Sequence, residues 1–525
     1  MAASKCENRL QTAKAESVQE IENAEQGLER RDKSRSLWHS IRAHPSIIGY
    51  TLALCAAILL FGYDSVIVSS VAAMPAFQQV PNIRAPRIDF GEYHDFELIL
   101  PSSWLGVWTA ASPIGLVFGA LFGGWIQNLW GRKRSLLLGN LIVAVGIAIC
   151  FASNRVDELN ARRSVYLIGK LIEGLGVGVL VCSTQTWISE VAPVAVRAFL
   201  LSLIPTFTLL GQLVGSGVVF ILLSAPADKG YTIGFASQWP FSAILLIATI
   251  IMPESPTYLV RRGQDEAAHK AHERLYRNGH AAAATRELME TIRHERASNG
   301  DKTGSMRDCF VGVNRRRTWL VTFLFNVPQF FGITLLANAS YFMQTIGMGA
   351  DNSLLFLVVG IAIGLVANLL SIWTLASVRR RTLLIATLLA TTALWVSIGV
   401  AGCFDSIVVP WYIAACMMLI IFTCGCGAWP ASVVVASETS SLQLRGYSQS
   451  LGWLSQGVVS GVSSIVLPYI FNKDGANLRG KTGFIFAVLS SFACFISWLC
   501  VPEMGGLTPQ EIDQKFEALL SARQF

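Results

Sequence analysis

Apolar runs of about twenty residues, separated by short polar stretches, recur along the chain from residue 47 onward. Six of them, near 47–73, 102–127, 135–153, 164–187, 198–223 and 238–253, precede a hydrophilic stretch at 254–317. Six more fall near 318–346, 353–377, 382–403, 408–436, 447–471 and 482–501. A helix of that length crosses a hydrocarbon layer roughly 30 Å thick. The pattern predicts an all-α integral membrane protein with twelve transmembrane helices in two six-helix bundles. The expected organisation is a tail over 1–46, a first bundle over 47–253, a central loop with short helices over 254–317, a second bundle over 318–501 and a tail over 502–525.

Composition agrees. Of 525 residues, 53% are hydrophobic and 14% charged, against roughly 25% charged in ordinary soluble domains. Charge placement orients the spans. Thirty-one of the 41 Lys and Arg residues fall in segments that share a side with the two ends of the chain, and an excess of basic residues marks the cytosolic side. Both termini are therefore expected in the cytosol. The first 46 residues are polar and charged, without the apolar core of a signal peptide.

Chemically reactive motifs are sparse. The eleven cysteines scatter through apolar runs, and Cys424 and Cys426 stand too close together for a zinc knuckle. Gly174 to Gly178 has neither the strand nor the GxxxxGK[ST] context of a phosphate loop. Asn338-Ala339-Ser340 spells a glycosylation sequon inside an apolar run and is discounted. No metal cluster or nucleophile–base pair stands out. The expectation is no enzyme, no cofactor, no metal and no nucleic-acid partner, with any transport driven by gradients.

The two halves repeat. Arg132 and Arg379 lie 247 residues apart, each after an apolar run. The pair Glu190/Arg197 recurs as Glu438/Arg445, 248 further on, and the Pro-Glu of PESPTYL recurs in PEMGGLTP 249 further on, giving Glu254 and Glu503. Opposite charges repeated at helix ends predict an ion-pair gate between the bundles, closing the inner side in one state and breaking in the other. Gly115, Gly119 and Gly123, like Gly211 and Gly215, have the spacing that lets helices approach closely.

Within the spans, charges are few. Asp64 sits in FGYD, deep in the first run, while Lys170 and Glu173 share a face of the fourth. An ionised carboxylate in hydrocarbon costs on the order of 3 kcal/mol even on lenient scales. Asp64 facing Lys170 would cancel both charges, and protonation of Asp64 would release Lys170, which is the chemistry of a proton-coupled switch.

FGYD, the WGRKR that follows the second run, GLGVG, SEVAPVAVR, GQL, PESP, QFFGI, SETSSLQLRG and PEMGGLTPQEID together resemble the sugar porter family of the major facilitator superfamily. The resemblance spans residues 47 to about 515 and is greatest to fungal hexose and α-glucoside proton symporters. It implies Asp64 as the coupling carboxylate, with Lys170 where the family has Arg and Glu173 where it usually has Gly. It also implies Gln212, Gln329 and Gln456 as ligands of sugar hydroxyls. Other family positions differ: Pro205 and Pro328 replace Gln, Thr334 replaces Asn, and Trp429 stands beside the usual position of the covering Trp. The function so implied is secondary active, proton-coupled carbohydrate transport, by a monomer in the plasma membrane whose partners are a small molecule, protons and the bilayer. The eroded amide set makes a transporter of a non-sugar metabolite the alternative. The short C-terminal tail speaks against a nutrient sensor.

Overall fold

A computed structural model describes residues 41–72, 79–80, 87–88, 92–94, 97–99, 102–222, 230–276, 281–299, 305–404, 406–441, 443–471, 476–505, 507 and 509–525. The N-terminal tail up to residue 40 lies outside them, as do Arg84, Lys229, Arg277, Lys302 and Lys473.

Helix α1 covers Pro45–Ala72 and is followed by two short antiparallel ribbons, β1 (Gln79–Val80) with β2 (Arg87–Ile88) and β3 (Glu92–His94) with β4 (Glu97–Ile99). Then come α2 (Ser102–Trp130), α3 (Arg132–Ala152), α4 (Leu159–Val191), α5 (Val194–Leu222), α6 (Gly230–Ala236) and α7 (Trp239–Ile251). Three short helices, α8 (Pro256–Arg261), α9 (Asp265–Leu275) and α10 (Ala281–Asn299), occupy the hydrophilic stretch around a small apolar core of their own. The second half holds α11 (Gly312–Phe330), α12 (Ile333–Ala337), α13 (Ala339–Thr345), α14 (Ala350–Ser377) and α15 (Arg380–Ala401). It ends with α16 (Val409–Cys426), α17 (Ala428–Thr439), α18 (Arg445–Phe471), α19 (Thr482–Cys500) and α20 (Pro509–Glu517).

Among the described residues eleven helical stretches are long and apolar enough to cross a membrane, α6–α7 and α16–α17 each counting as one. Helices suit that environment because they satisfy every backbone polar group internally. The run at 318–346, expected as a single span, is broken into α11, α12 and α13. Pro328 lacks an N–H, and Gly332 adopts φ +91°, where a Cβ would also stand 2.9 Å from the Trp395 ring. Only glycine suits that position.

The internal repeat shows at several helix boundaries. Ser102 to Ala350, Arg132 to Arg380 and Val191 to Thr439 each differ by 248, and these residues start or end α2 and α14, α3 and α15, α4 and α17. Packing repeats too: α1 lies on α5 and α11 on α18, α2 on α4 and α14 on α16, α3 on α7 and α15 on α19. The halves meet through α2 against α18 and the equivalent α14 against α5. Close approach within the first half relies on glycine: a Cβ on Gly119 would stand 2.1 Å from the Leu175 carbonyl oxygen.

Candidate functional site

Asp64, on α1, is the carboxylate at which three helices converge. Its Oδ1 pairs with Lys170 Nζ from α4, and its Oδ2 accepts from the Ser112 hydroxyl of α2. Lys170 Nζ also reaches Glu173 Oε2 at 2.9 Å, one turn along α4. Exposure is 5% for Asp64, 0% for Lys170 and 1% for Glu173. The predicted trio is therefore one cluster, with the ammonium between two carboxyls. Its dryness follows from the backbone packing around it. A Cβ on Gly174 would lie 2.2 Å from the Ser112 carbonyl oxygen, and one on Gly146 of α3 would lie 2.5 Å from the Glu173 nitrogen.

Asp64 and Ser112 face a cavity between the halves, whereas Lys170 and Glu173 stand behind its wall. All five residues expected to bind a ligand line the same space: Gln212 from α5, Gln329 from α11, Thr334 from α12, Trp429 from α17 and Gln456 from α18. Gln212 Nε2 donates to Ser65 Oγ at 3.0 Å, and the Thr334 hydroxyl donates to Gln329 Oε1 at 2.6 Å, which orients both amides. Sequence reasoning missed Ser65, Thr109, Ser112, Thr208, Asn338, Ser460 and Ser464, all in the wall. Asn338, discounted there with its sequon, donates to the Thr334 carbonyl at 2.8 Å. Among the described lining residues Asp64 is the one charged side chain; Phe61, Leu116, Pro328, Ile333 and Trp429 supply apolar surface.

Toward the end of the bundle that carries Arg132 and Arg380, the cavity is sealed. Phe61 and Phe325 each meet the Trp453 ring edge-on at 5.4 Å between centroids. Trp453 Nε1 donates to Gln185 Oε1 at 2.8 Å, Gln185 Nε2 to Ser437 Oγ at 3.0 Å, and Cys182 Sγ lies 2.9 Å from Ser450 Oγ. A smaller cavity shares Thr109, Asn338 and Ser464 with the large one and is lined as well by Tyr341 and Phe471.

The charged residues at the sealed end differ from the expected gate in two respects. First, Glu438 pairs with Arg380 rather than Arg379, which is the exposed residue capping α15. Arg380 is the true counterpart of Arg132, whose guanidinium reaches Glu190 at 2.6 Å. Both carboxylates that follow the sixth span of each half bind a helix N-terminus: Glu254 accepts from the Lys133 N–H, and Glu503 from the Arg381 N–H, each at 3.1 Å. An anion there satisfies otherwise orphaned donors. Burial raises the Glu254 carboxyl above its ordinary range, opposed by the N–H groups of Ser255, Lys133 and Arg132. Second, these ion pairs close within each half. Besides the Trp453–Gln185, Gln185–Ser437 and Cys182–Ser450 contacts, Arg445 crosses between halves, donating to the Ser189 carbonyl at 2.8 Å, as does Gln127, donating to the Gly446 carbonyl at 3.3 Å. Arg197 bonds its own Ala192 carbonyl at 3.2 Å and acts electrostatically on Glu438.

The model of the family described as "Sugar (and other) transporter" matches residues 50–516. The chain belongs to that transporter family. Among its relatives, MFS transporter fmqE of Aspergillus fumigatus is 28% identical over 507 residues, covering 94% of this chain and 92% of that one. The alpha-glucosides permease MPH3 of Saccharomyces cerevisiae is 26% identical over 525 residues, covering 97% and 83%. The fold matches that of the MFS proton:xylose symporter XylE from E. coli, bound to 6-bromo-6-deoxy-D-glucose, with a TM-score of 0.74. That match has 22% identity and covers 90% of this chain and 99% of XylE. This family member is thus a multi-pass membrane protein of the major facilitator fold and a sugar porter by family. The cavity lies between its repeated halves, where transporters of repeated architecture hold their cargo.

Proposed function

We propose that the chain is a secondary active transporter that moves a sugar together with a proton by alternating access. In this reading α11–α13 form the twelfth span, the two six-helix halves are 47–253 and 318–501, and both tails and the central loop face the cytosol. The plasma membrane is the assigned site and the monomer the working unit. The observation that carries the proposal is Asp64: it is the sole charge in the described cavity wall and is neutralised from behind by Lys170.

Proton binding to Asp64 removes its attraction for Lys170 and so alters how α1 and α4 hold together next to the cargo. Gln212, Gln329, Thr334 and Gln456 present directed donors and acceptors to an uncharged polyol, with Trp429 as an apolar face. In this reading the conformation is the outward-facing one, closed at the Trp453 end, and Arg132, Glu190, Arg197, Glu254, Arg380, Glu438, Arg445 and Glu503 form the inner gate.

Uptake of labelled maltose and glucose in a yeast lacking its own hexose and maltose transporters, with and without a proton uncoupler, tests this. Uncoupler-sensitive uptake is expected. No uptake of either sugar at normal surface expression removes the sugar. The second reading, a transporter of a non-sugar small molecule, is favoured by the apolar share of the wall, above all Pro328 in place of an amide.

A further inference from the structure

Lys170 is one cation facing two carboxyls, and the excess negative charge has to be resolved. If Asp64 and Glu173 were both ionised, the cluster would carry one net negative charge at 0% to 5% exposure. Two carboxyls sharing one site suppress each other's ionisation, and an uncompensated buried charge is neutralised by taking up a proton. Among the described residues, the groups that face the cluster supply no second cation: Tyr63 beside Asp64 on α1, Ser112 on α2, Cys150 on α3 with Sγ 4.0 Å from Glu173 Oε2, and Tyr166 on α4.

The two carboxyls are not equivalent. Asp64 has both oxygens engaged and borders the cavity, where water and cargo can reach it. Glu173 has one oxygen on Lys170, while its buried Oε1 has no hydrogen-bond partner among the described residues, and it does not border the cavity. A neutral carboxyl tolerates that setting far better than an ionised one.

We propose that Asp64 and Glu173 share a single proton around Lys170, and that Glu173 holds it while Asp64 is the ion-pair partner. When the proton moves, an Nζ–H proton of Lys170 passes to Asp64 Oδ1, forming its O–H bond, and the nitrogen lone pair freed by that transfer takes up the proton of Glu173 as the Glu173 O–H bond breaks. Lys170 ends with three hydrogens as it began, now paired with ionised Glu173, and the cluster stays neutral throughout. Glu173 is thus the replacement counter-ion that lets the cavity-facing carboxyl become neutral without leaving a bare ammonium in the membrane. A chain with Gly at 173 has no such partner to offer. The transport consequence rests on Asp64 as the coupling carboxylate; the shared proton does not.

The test is infrared difference spectroscopy of the full chain in lipid nanodiscs at neutral pH, read in the carbonyl-stretch region of protonated carboxyls with H2O and D2O. The wild type is expected to show a buried protonated carboxyl band that is lost in Glu173→Gln. The band is also expected to be lost in Asp64→Asn, because Glu173 then becomes the sole anion on Lys170. A spectrum unchanged by Glu173→Gln, or a band kept in full by Asp64→Asn, overturns the proposal. If the Gln variant does not purify as a monodisperse protein, the Asn variant alone decides. A chain with this band pattern but no uncoupler-sensitive uptake keeps the shared proton and loses the transport reading. Coupled uptake without the band does the reverse.

Discussion

Arg445, from the second half of the chain, donates from its guanidinium to the main-chain carbonyl of Ser189, in the first half, at 2.8 Å. The two residues lie 256 positions apart, and the bond ties the halves together at the end where the cavity is sealed. The carboxylate pairs Arg132–Glu190 and Arg380–Glu438 brace each half, so opening must break the Arg445 bond together with the cross-half bonds of Gln127, Gln185 and Trp453.

Arg445→Ala should therefore shift the population toward the form open at the sealed end. A hydrogen bond from a charged group contributes about 1.5–3 kcal/mol, equivalent to a shift of roughly ten- to a hundredfold. Cys182, fully buried against Ser450 across the same interface, is the reporter. In a background with the other cysteines replaced, its labelling by a membrane-permeant thiol reagent should accelerate at least about tenfold. An unchanged rate would mean that Arg445 does not hold the seal.

Much of this was legible beforehand, and the reasons are specific. A carboxylate in an apolar run has few explanations, so Asp64 pointed to a partner, and Lys170 and Glu173 were the candidates. The repeated Glu–Arg landmarks exposed the duplicated halves. What sequence did not resolve was which of three consecutive arginines faces Glu438, because the choice depends on where α15 starts. The offset of 247 through Arg379 should have been 248 through Arg380, the offset that the Glu and Arg landmarks share. The break in the seventh run was hidden as well, since the φ of Gly332 is set by the Trp395 and Phe486 rings packed against it. Ser112 gave no signal: serines in helices commonly bond a carbonyl of the preceding turn, and nothing local shows that this one turns to Asp64.

Gln212 and Gln456 come from opposite halves and line one cavity. Replacing either by Ala should raise the KM for the cargo roughly five- to a hundred-and-fifty-fold, the equivalent of about 1–3 kcal/mol for an unpaired buried polar group. Surface expression should not change. Initial uptake rates across cargo concentration measure the effect. An unaltered KM in both variants would place the cargo elsewhere.

Gly119 and Gly49 offer a packing control. A Cβ at Gly119 would collide with the Leu175 carbonyl, while one at Gly49 meets nothing within 4 Å. Gly119→Ala should lower stability by about 1–3 kcal/mol or more through separation of α2 and α4, whereas Gly49→Ala should be near neutral. Thermal unfolding of the purified variants, followed by loss of monodispersity, distinguishes the two.

In the central helices, His272 Nδ1 lies 2.8 Å from Thr285 Oγ1 and the ring is buried. Burial, with His269 nearby, lowers its pKa from 6.5 to about 4. The neutral ring is thus the folded form, so its contribution is fully present above pH 6.5 and fades as the pH falls from there toward about 4. The loss amounts to about 3 kcal/mol at most. Amide exchange in α9 and α10 should accelerate between about pH 7 and about pH 5 beyond the intrinsic trend, and His272→Gln should flatten that response.

Coupling to the proton gradient rests on Asp64. In proteoliposomes with an inward proton gradient, the wild type should accumulate cargo above its equilibrium level. Asp64→Asn should abolish that accumulation yet still exchange labelled for unlabelled cargo across the membrane. Gradient-driven accumulation by Asp64→Asn at the wild-type level would contradict the assignment and leave the Asp64–Lys170 pair with a structural role.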